Sequence, residues 1–444
     1  MNSANKTKVF FLFAGDIIAL YASLFIALIL RYGSDFYDQF INFHALPFTI
    51  IFAIWLVVFY ISGLYDLRRL RNNLDFFKIL TLAISINGLL ATTFFYFLPI
   101  FGITPKTNLF VFIAAFACIE LFWRRHFNKI ASSGKAPNKV LLVGNSKTAD
   151  EISVMISANP QFGYEIVSRF SEEKTNGGHS PLHAVIQERG INIVVVPRHL
   201  KHNPRFTSEL YELLSQGIEI HDLANFYELV MRKIPLADVD ETWFLDHLVN
   251  HAKFYDQLKR ACEVLFAVLL QIVVLPLELL IIIIIKITSF GPVVYKQIRV
   301  GKNDKEFTLY KFRTMRIDAE KNGAQWSESA DDRVTPFGKL LRQTHVDELP
   351  QLINIINGNL SFVGPRPERP EFVALLKKQI PYFEIRSIVH PGVTGWAQIN
   401  HRYGAPDADS YEKLQYDIYY IKNRSIILDL AIIIKTVKSI FVSS

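Results

Sequence analysis

The chain has 444 residues, enough for about three domains at ~150 residues apiece. Hydrophobic residues make up 50%, with 36 phenylalanines, and the charged share of 20% falls below the roughly 25% of an ordinary globular protein, so the domains are not all soluble. The net charge of +7 suits anionic lipid or phosphorylated substrates at least as well as nucleic acid, and the two cysteines, Cys118 and Cys262, exclude a disulfide framework or a cysteine-rich zinc site.

Four long apolar runs fill the first quarter, at 9–30, 44–64, 79–98 and 109–123. Each approaches the ~20 residues a membrane helix needs, the last marginally. The first lacks a clear small-residue cleavage site and carries Asp16, so it reads as a retained helix rather than a removed signal peptide. Residues 1–130 are therefore expected to form a four-helix transmembrane bundle. Lys6 and Lys8 precede the first run, Arg68, Arg69, Arg71 and Lys78 separate the second and third, and Arg124, Arg125 and Lys129 follow the fourth. The other loops offer Arg31 and Lys106 alone, so the positive-inside rule puts both ends of the bundle in the cytoplasm. Asp16 is read as an interhelical hydrogen-bonding group rather than a functional intramembrane acid.

Over 137–235 the pattern changes to short β-branched runs at 139–144, 164–170, 192–197 and 218–223, separated by helical stretches. That alternation predicts a doubly wound parallel α/β domain. A dinucleotide site needs G-x-G-x-x-G after the first strand, yet Gly144 is followed by Asn145, Ser146, Lys147 and Thr148. A Rossmann-like shape without a working dinucleotide site is expected. Residues 224–251 read as a helix and a connecting segment, and 236–253 as the linker to the remainder.

A fifth apolar run, 261–285, would reach ~37 Å as an unbroken helix. Lys253, Lys259 and Arg260 precede it and Lys286, Lys296, Arg299, Lys302 and Lys305 follow it, so both of its ends prefer the cytoplasm. Pro276 supplies a break inside the run. A re-entrant helix that enters one leaflet, bends near Pro276 and returns satisfies both constraints, with Glu263 and Glu278 near an interface. A plain fifth span would strand everything after Lys286 outside the cell, away from nucleotides.

Beyond it a hairpin should pair 292–300 with 307–315 across Gly301-Lys302-Asn303-Asp304. Helices are expected near 336–344 and 347–356. The stretch 425–442, apolar but interrupted by Asp429, Lys435 and Lys438, suits an amphipathic helix lying on the membrane.

The sharpest chemistry lies in Arg342-Gln-Thr-His-Val-Asp347-Glu348-Leu-Pro-Gln351. Adjacent carboxylates on a helix point about 100° apart, so one can attack an electrophilic phosphorus while its neighbour binds a metal or tunes protonation. Arg342 lies close enough to hold a phosphate near Asp347. An acidic helix N-terminus would explain the pair equally well if it stood alone. Pro365-Arg366-Pro367-Glu368 fixes an arginine between two residues of restricted φ, preorganising a guanidinium for phosphate or making a rigid turn. Tyr310-Lys311-Phe312-Arg313 puts Lys311 and Arg313 on one strand face, as a phosphate site or a solvated edge would. His390-Pro-Gly-Val-Thr-Gly-Trp396 is a glycine-punctuated loop able to approach a ligand, or two turns.

In this order, Phe290-Gly-Pro-Val-Val-Tyr-Lys-Gln297, Arg299-Val-Gly-Lys302, Tyr310-Lys-Phe-Arg-Thr-Met315, Asp347-Glu-Leu-Pro-Gln-Leu352, Val363-Gly-Pro-Arg-Pro367, Pro391-Gly-Val-Thr-Gly-Trp-Ala-Gln398 and Tyr416-Asp417-Ile-Tyr-Tyr420 resemble the bacterial sugar transferases. These are monotopic polyprenyl-phosphate glycosyl-1-phosphate transferases that initiate O-antigen, lipopolysaccharide, capsule and exopolysaccharide assembly. The match covers 254–444, and the N-terminal bundle with its α/β domain further resembles the family's long form.

The resemblance implies an α/β monotopic catalytic domain over 254–444 and a multi-pass protein of the bacterial inner membrane, with its α/β and catalytic domains in the cytoplasm. Asp347 would attack the β-phosphate of a UDP-sugar, release UMP and carry a phosphosugar. Asp347 and Glu348 would hold Mg²⁺. Undecaprenyl phosphate would then take the phosphosugar from Asp347. Arg342, Arg366, Lys311 and Arg313 would hold phosphates, with Asp417 orienting Arg366. A homodimer in lipid is implied, and no nucleic acid partner. Many members place Ser before the proline of the re-entrant helix, where this chain has Leu275. That departure touches the hydrogen bonding of the bend.

Two other readings compete. A membrane-bound NAD-dependent nucleotide-sugar dehydratase or epimerase would need a glycine fingerprint and Tyr-x-x-x-Lys; Tyr255 and Lys259 have that spacing, but without the glycines. A non-enzymatic scaffold for polysaccharide export would need none of these motifs.

Overall fold

The computed structural model describes residues 3–66, 70, 72–97, 107–133, 137–170, 182–201, 203–248, 253–316, 333–401 and 406–442. Arg68, Arg69, Arg71 and Lys106, used above for orientation, lie outside the described residues. The chain divides into two compact units, Met1–Met231 and Arg232–Ser444.

In the first unit, helices Ser3–Tyr32, Ala45–Ser62, Leu74–Phe97 and Thr107–Ser133 correspond to the four apolar runs. Gly63 ends the second in the left-handed region, φ 76°, where glycine carries no Cβ penalty. The helices share a core that includes Leu20, Leu24, Phe48, Trp55, Phe112 and Phe116. The stretches Thr7–Ser62 and Leu74–Phe97, and Phe254–Thr288 of the second unit, are each long and apolar enough to cross a membrane, which makes this a membrane-associated protein. Asp16 is fully buried and accepts hydrogen bonds from Tyr65 Oη at 2.6 Å and Trp123 Nε1 at 3.1 Å. It also pairs with Arg124, whose Nε reaches Glu120 at 2.7 Å. Arg124 is thus an internal partner, since a buried charge must be paired, and does not serve as a flanking charge.

The same unit carries a four-stranded parallel sheet of β1 (Asn138–Val143), β2 (Tyr164–Phe170), β3 (Ile193–Val196) and β4 (Glu219–Asp222), ordered β2-β1-β3-β4. Successive side chains of a strand point to opposite faces, and both faces are covered here. Val140 and Leu142 pack with Ile152 and Phe226, while Leu141 and Val143 pack with Ile186 and Leu213. Two-sided cover explains why β1 and β3 read as unbroken apolar runs.

The second unit is built on one helix, Lys253–Thr288, which runs through Pro276. Ala267, Leu270 and Val274 pack with Phe307, Leu309, Leu352 and Ile355. Farther along, Ile281 and Ile285 pack with Phe312 and Leu341. Spacings of three and four make these one stripe, so the unit covers a single face along most of the helix. The opposite face leaves Leu265, Leu269, Ile272, Leu279 and Ile283 exposed. Glu263 turns toward the unit, where Ser361 Oγ donates to it at 2.6 Å, and the buried Glu278 accepts from Gln271 Nε2, two turns earlier on the same helix, at 2.5 Å.

The hairpin pairs β5 (Val294–Val300) with β6 (Glu306–Phe312), two or three residues shorter at its open end than the sequence pattern suggested, because Met315 bridges Val334 instead. A second, parallel pair joins β7 (Ser361–Val363) to β8 (Gly392–Thr394). The C-terminal helix Ile426–Val442 turns Asp429 and Lys435 inward: Asp429 meets Lys259 at 3.0 Å, and Lys435 lies 5.2 Å from the Trp396 ring centroid. Ile427, Leu430, Ile433 and Val437 face outward.

Candidate active site

Asp347 and Glu348 lie on a 3-10 turn, Val346–Glu348, between the helices Pro336–Gln343 and Gln351–Ile356. The earlier expectation of one helix over 347–356 is corrected: His345, at φ 55°, breaks the chain before the turn, and Pro350 starts the next helix. In a 3-10 turn consecutive side chains diverge by about 120°, which sends the two carboxyls into different surroundings.

Two polar groups, the buried Asn354 and the half-buried Arg260, fix the height of this turn. Asn354 Nδ2 donates to Thr308 O at 2.6 Å and its Oδ1 accepts from Tyr310 N at 3.1 Å, bolting Gln351–Ile356 to β6. Arg260 donates to Ile355 O and Ile356 O, at 2.5 and 3.2 Å, where a helix C-terminus favours a cation. Upstream, Thr335 caps Pro336–Gln343 through Gly338 N at 3.0 Å. A Cβ at Gly338 would sit 2.1 Å from Thr314 O, so glycine permits this approach.

Held this way, Glu348 Oε1 accepts from Lys311 Nζ at 2.6 Å and Arg366 Nη2 at 3.1 Å. Burial alone would raise its carboxyl, but Arg366 and Lys311 together hold it down at about 2. Asp347, 7% exposed, behaves oppositely: burial pushes it above the usual aspartate value, with Lys311 opposing and Glu348 adding to the rise. Burial lowers the Lys311 ammonium, against the pull of Glu348. Adjacent acids have thus been driven apart, the usual mark of divided roles.

The arginine loop is placed by backbone contact. A Cβ on Gly364 would sit 2.4 Å from His390 O, and one on Gly392 would sit 2.1 Å from Gly364 N. The glycines of the two motifs therefore let their chains touch, and Gly364 N donates to Thr394 O at 2.9 Å. Arg366 leaves this junction toward Glu348.

Of the expected site residues, Lys311, Glu348 and Arg366 meet directly, and Asp347 adjoins them. Arg342 bonds through Nε to Thr314 Oγ1 at 3.0 Å, and acts on Asp347 through its charge. Arg313 points elsewhere: its Nη2 donates to Ser289 O at 2.7 Å, at the end of the long helix, and its Nη1 is buried without a partner among the described residues. Asp417 does not touch the Arg366 side chain; it pairs with Arg386 at 3.0 Å, and Arg386 in turn donates to Arg366 O at 2.9 Å. Burial raises Asp417 to about 6 against the pull of Arg386. Sequence reasoning missed Arg386, Arg260 and Asn354, whose partners named above lie 20 to 96 residues away and are mostly backbone groups, beyond any local spacing.

Tyr255 and Lys259 serve structure. Tyr255 Oη donates to Asp429 at 2.5 Å, while Lys259 Nζ donates to Val363 O at 2.7 Å and to Tyr420 Oη at 2.8 Å. Their spacing binds the long helix to the C-terminal one.

Among the described residues no three His, Cys, Asp or Glu side chains gather as a metal cage. Asp347 and Glu348 nevertheless offer adjacent hard oxygen donors, which suit Mg²⁺ held by one or two carboxylates plus substrate phosphates.

The family model described as bacterial sugar transferase matches residues 254–443. A UDP-N-acetylgalactosamine-undecaprenyl-phosphate N-acetylgalactosaminephosphotransferase of Aeromonas hydrophila is 36% identical over 260 residues, 54% of this chain and 62% of that protein. A UDP-glucose:undecaprenyl-phosphate glucose-1-phosphate transferase of Klebsiella pneumoniae is 29% identical over 436 residues, 91% of this chain and 90% of its own length. A protein of the same description from Xanthomonas campestris pv. campestris is 30% identical over 331 residues, covering 70% of this chain and 68% of the relative. With the motif residues gathered as described, this chain belongs to the bacterial sugar transferase family.

Proposed function

We propose that the protein transfers a sugar-1-phosphate from a UDP-sugar to undecaprenyl phosphate, yielding undecaprenyl-diphosphate-sugar and UMP, as the first membrane step of surface polysaccharide synthesis. The observation that carries this reading is the Glu348 carboxylate gripped by Lys311 and Arg366 next to the buried Asp347. The named activities of the relatives agree with it.

In the first step an Asp347 carboxylate oxygen forms a bond to the β-phosphorus, and the bond from that phosphorus to the bridging oxygen breaks. UMP leaves with the bridging oxygen. In the second, a phosphate oxygen of undecaprenyl phosphate bonds to the same phosphorus, the bond to Asp347 breaks and the carboxylate is restored. A carboxylate stripped of most of its water is the better nucleophile, which fits the burial of Asp347. Arg366 and Lys311 keep Glu348 ionised and bring positive charge to a diphosphate, and Arg342 adds its charge near Asp347. Mg²⁺, held by Asp347 and Glu348, would offset charge on the diphosphate when bound.

The acceptor's tail lies in lipid, so Asp347 belongs at the cytoplasmic face of the inner membrane. Two outward apolar stripes support this: one on Lys253–Thr288 and one on Ile426–Val442. The helix runs through Pro276 without the break expected there, so entry and return within one leaflet rests on the basic residues at both of its ends, Lys253, Lys259 and Arg260 before the apolar run and Lys286 after it. We assign the β1–β4 domain a Rossmann-like shape on its parallel strand order and two-sided cover.

The test is UMP release by purified protein in nanodiscs containing undecaprenyl phosphate, offered UDP-glucose, UDP-galactose and their N-acetylated amino counterparts in turn. At least one should give UMP and a lipid-linked product together. No UMP from any of them contradicts the proposal.

A further inference from the structure

Proline at 365 and 367 removes two backbone donors, so the Pro365–Glu368 loop cannot be locked by its own amides. Its carbonyls are locked instead. Pro365 O accepts from Gly392 N and Glu368 O from Val300 N, each at 2.9 Å. Between them Arg366 O accepts from Arg386 Nη2 and Pro367 O from Arg299 Nη1, also at 2.9 Å. Four successive carbonyls are therefore held, two of them by guanidinium groups.

Both guanidiniums are themselves anchored. Arg386 pairs with Asp417, which is 2% exposed. Arg299 sends its Nε and Nη2 to Gln297 Oε1, at 2.9 and 2.6 Å, and keeps Nη1 for the loop. A planar fork can serve a side-chain oxygen and a carbonyl at once, which a lysine ammonium cannot do in the same plane. The two arginines reach the loop's backbone, Asp417, Gln297, Glu368 and the Phe383 ring, and neither touches Asp347 or Glu348.

We infer that Arg386 and Arg299 are positioning residues for the transfer reaction: they hold the carbonyls of residues 366 and 367 and so fix the direction from which the Arg366 guanidinium meets Glu348. The inference rests on the function proposed above. It gives Gln297 and Asp417 the task of orienting the two clamps. Misplacing a charge-stabilising group by about 1 Å can cost about 100-fold in rate, so the clamp matters although it touches no substrate.

A double-mutant cycle on the full chain in nanodiscs tests it, with UMP release as one readout. Arg386→Ala should lower kcat about 10- to 100-fold with a smaller change in donor KM, yet have almost no further effect in the Arg366→Ala background. Equal losses in both backgrounds would overturn the inference. The second readout needs no turnover: hydrogen exchange at the Gly392 and Val300 amides, which bond the loop. It should quicken in Arg386→Ala and in the milder Arg299→Lys while β1 amides keep their wild-type rates. Unchanged exchange in a folded variant would overturn the clamp. A wild-type protein that releases no UMP contradicts the proposed function instead, and the exchange rates then still decide whether the arginines set the loop.

Discussion

At the scale of residues, two neighbouring acids have acquired opposite tendencies from their surroundings. Glu348 is stabilised as an anion by two cations, whereas burial makes charge on Asp347 costly and hence reactive. Lys311→Met should therefore do more than remove a positive charge. It leaves Glu348 leaning on Arg366 alone, and UMP release should fall at least about tenfold, on the scale of losing one charge-stabilising donor; steady-state assay of the variant checks this. His390 offers a separate test on stability. Burial, with Lys302 second, holds its imidazole down at about 4. The unfolded chain takes that proton near pH 6.5, so its share of stability is complete above that pH and is lost as pH falls toward about 4. In His390→Gln the thermal midpoint should decline less between pH 6.5 and 4 than in wild type, which differential scanning calorimetry in detergent would read. The acids and the proline-flanked arginine were legible in the sequence because their chemistry is written in short spacings. Asp417 was legible as a polar residue of interest, but its partner Arg386 was not, since an ion pair between residues 386 and 417 depends on how two elements pack.

Elements explain why those side chains arrive together. Strands β1 to β4 were readable to within a residue or two, the central β1 and β3 because apolar runs covered on both faces suit a parallel sheet, the edge strands β2 and β4 because the helical stretches between them set the alternation. The turn carrying Asp347 was not, since a helical reading of 347–356 ignores the left-handed His345 and the proline at 350. Its height is set by Asn354, and Asn354→Leu would leave Thr308 O and Tyr310 N buried without partners. A loss of about 1–3 kcal/mol for each unsatisfied group is expected, visible as a lowered thermal midpoint together with reduced UMP release. Gly364→Ala addresses the arginine loop from the other side. Its new Cβ would press on His390 O at 2.4 Å, and overpacking of this kind costs about 1–3 kcal/mol. Activity should fall further than stability explains, because the same shift carries Arg366 away from Glu348.

Across the whole molecule, the membrane sets the arrangement. The apolar runs were plain in the sequence, yet which face of the long helix is protein-covered was not, because its polar markers, Glu263, Gln271 and Glu278, recur only every two turns among Leu, Ile and Val. Packing against Phe307, Leu352, Phe312 and Leu341 defines that face. If the helix enters and leaves by one leaflet, single cysteines at Gln257 and Phe290, in a chain with Cys118 and Cys262 replaced by Ser, should both react with a membrane-impermeant maleimide in inverted vesicles and neither in intact cells. Reaction from opposite sides would mean a crossing helix. The chemistry itself is tested most directly by incubating the protein with a UDP-sugar substrate in the absence of undecaprenyl phosphate and sequencing its peptides by mass spectrometry. The account predicts a hexose- or N-acetylhexosamine-phosphate adduct on Asp347 that disappears when undecaprenyl phosphate is added and never forms in Asp347→Asn. Full turnover by Asp347→Asn, or an adduct on another residue, would contradict it.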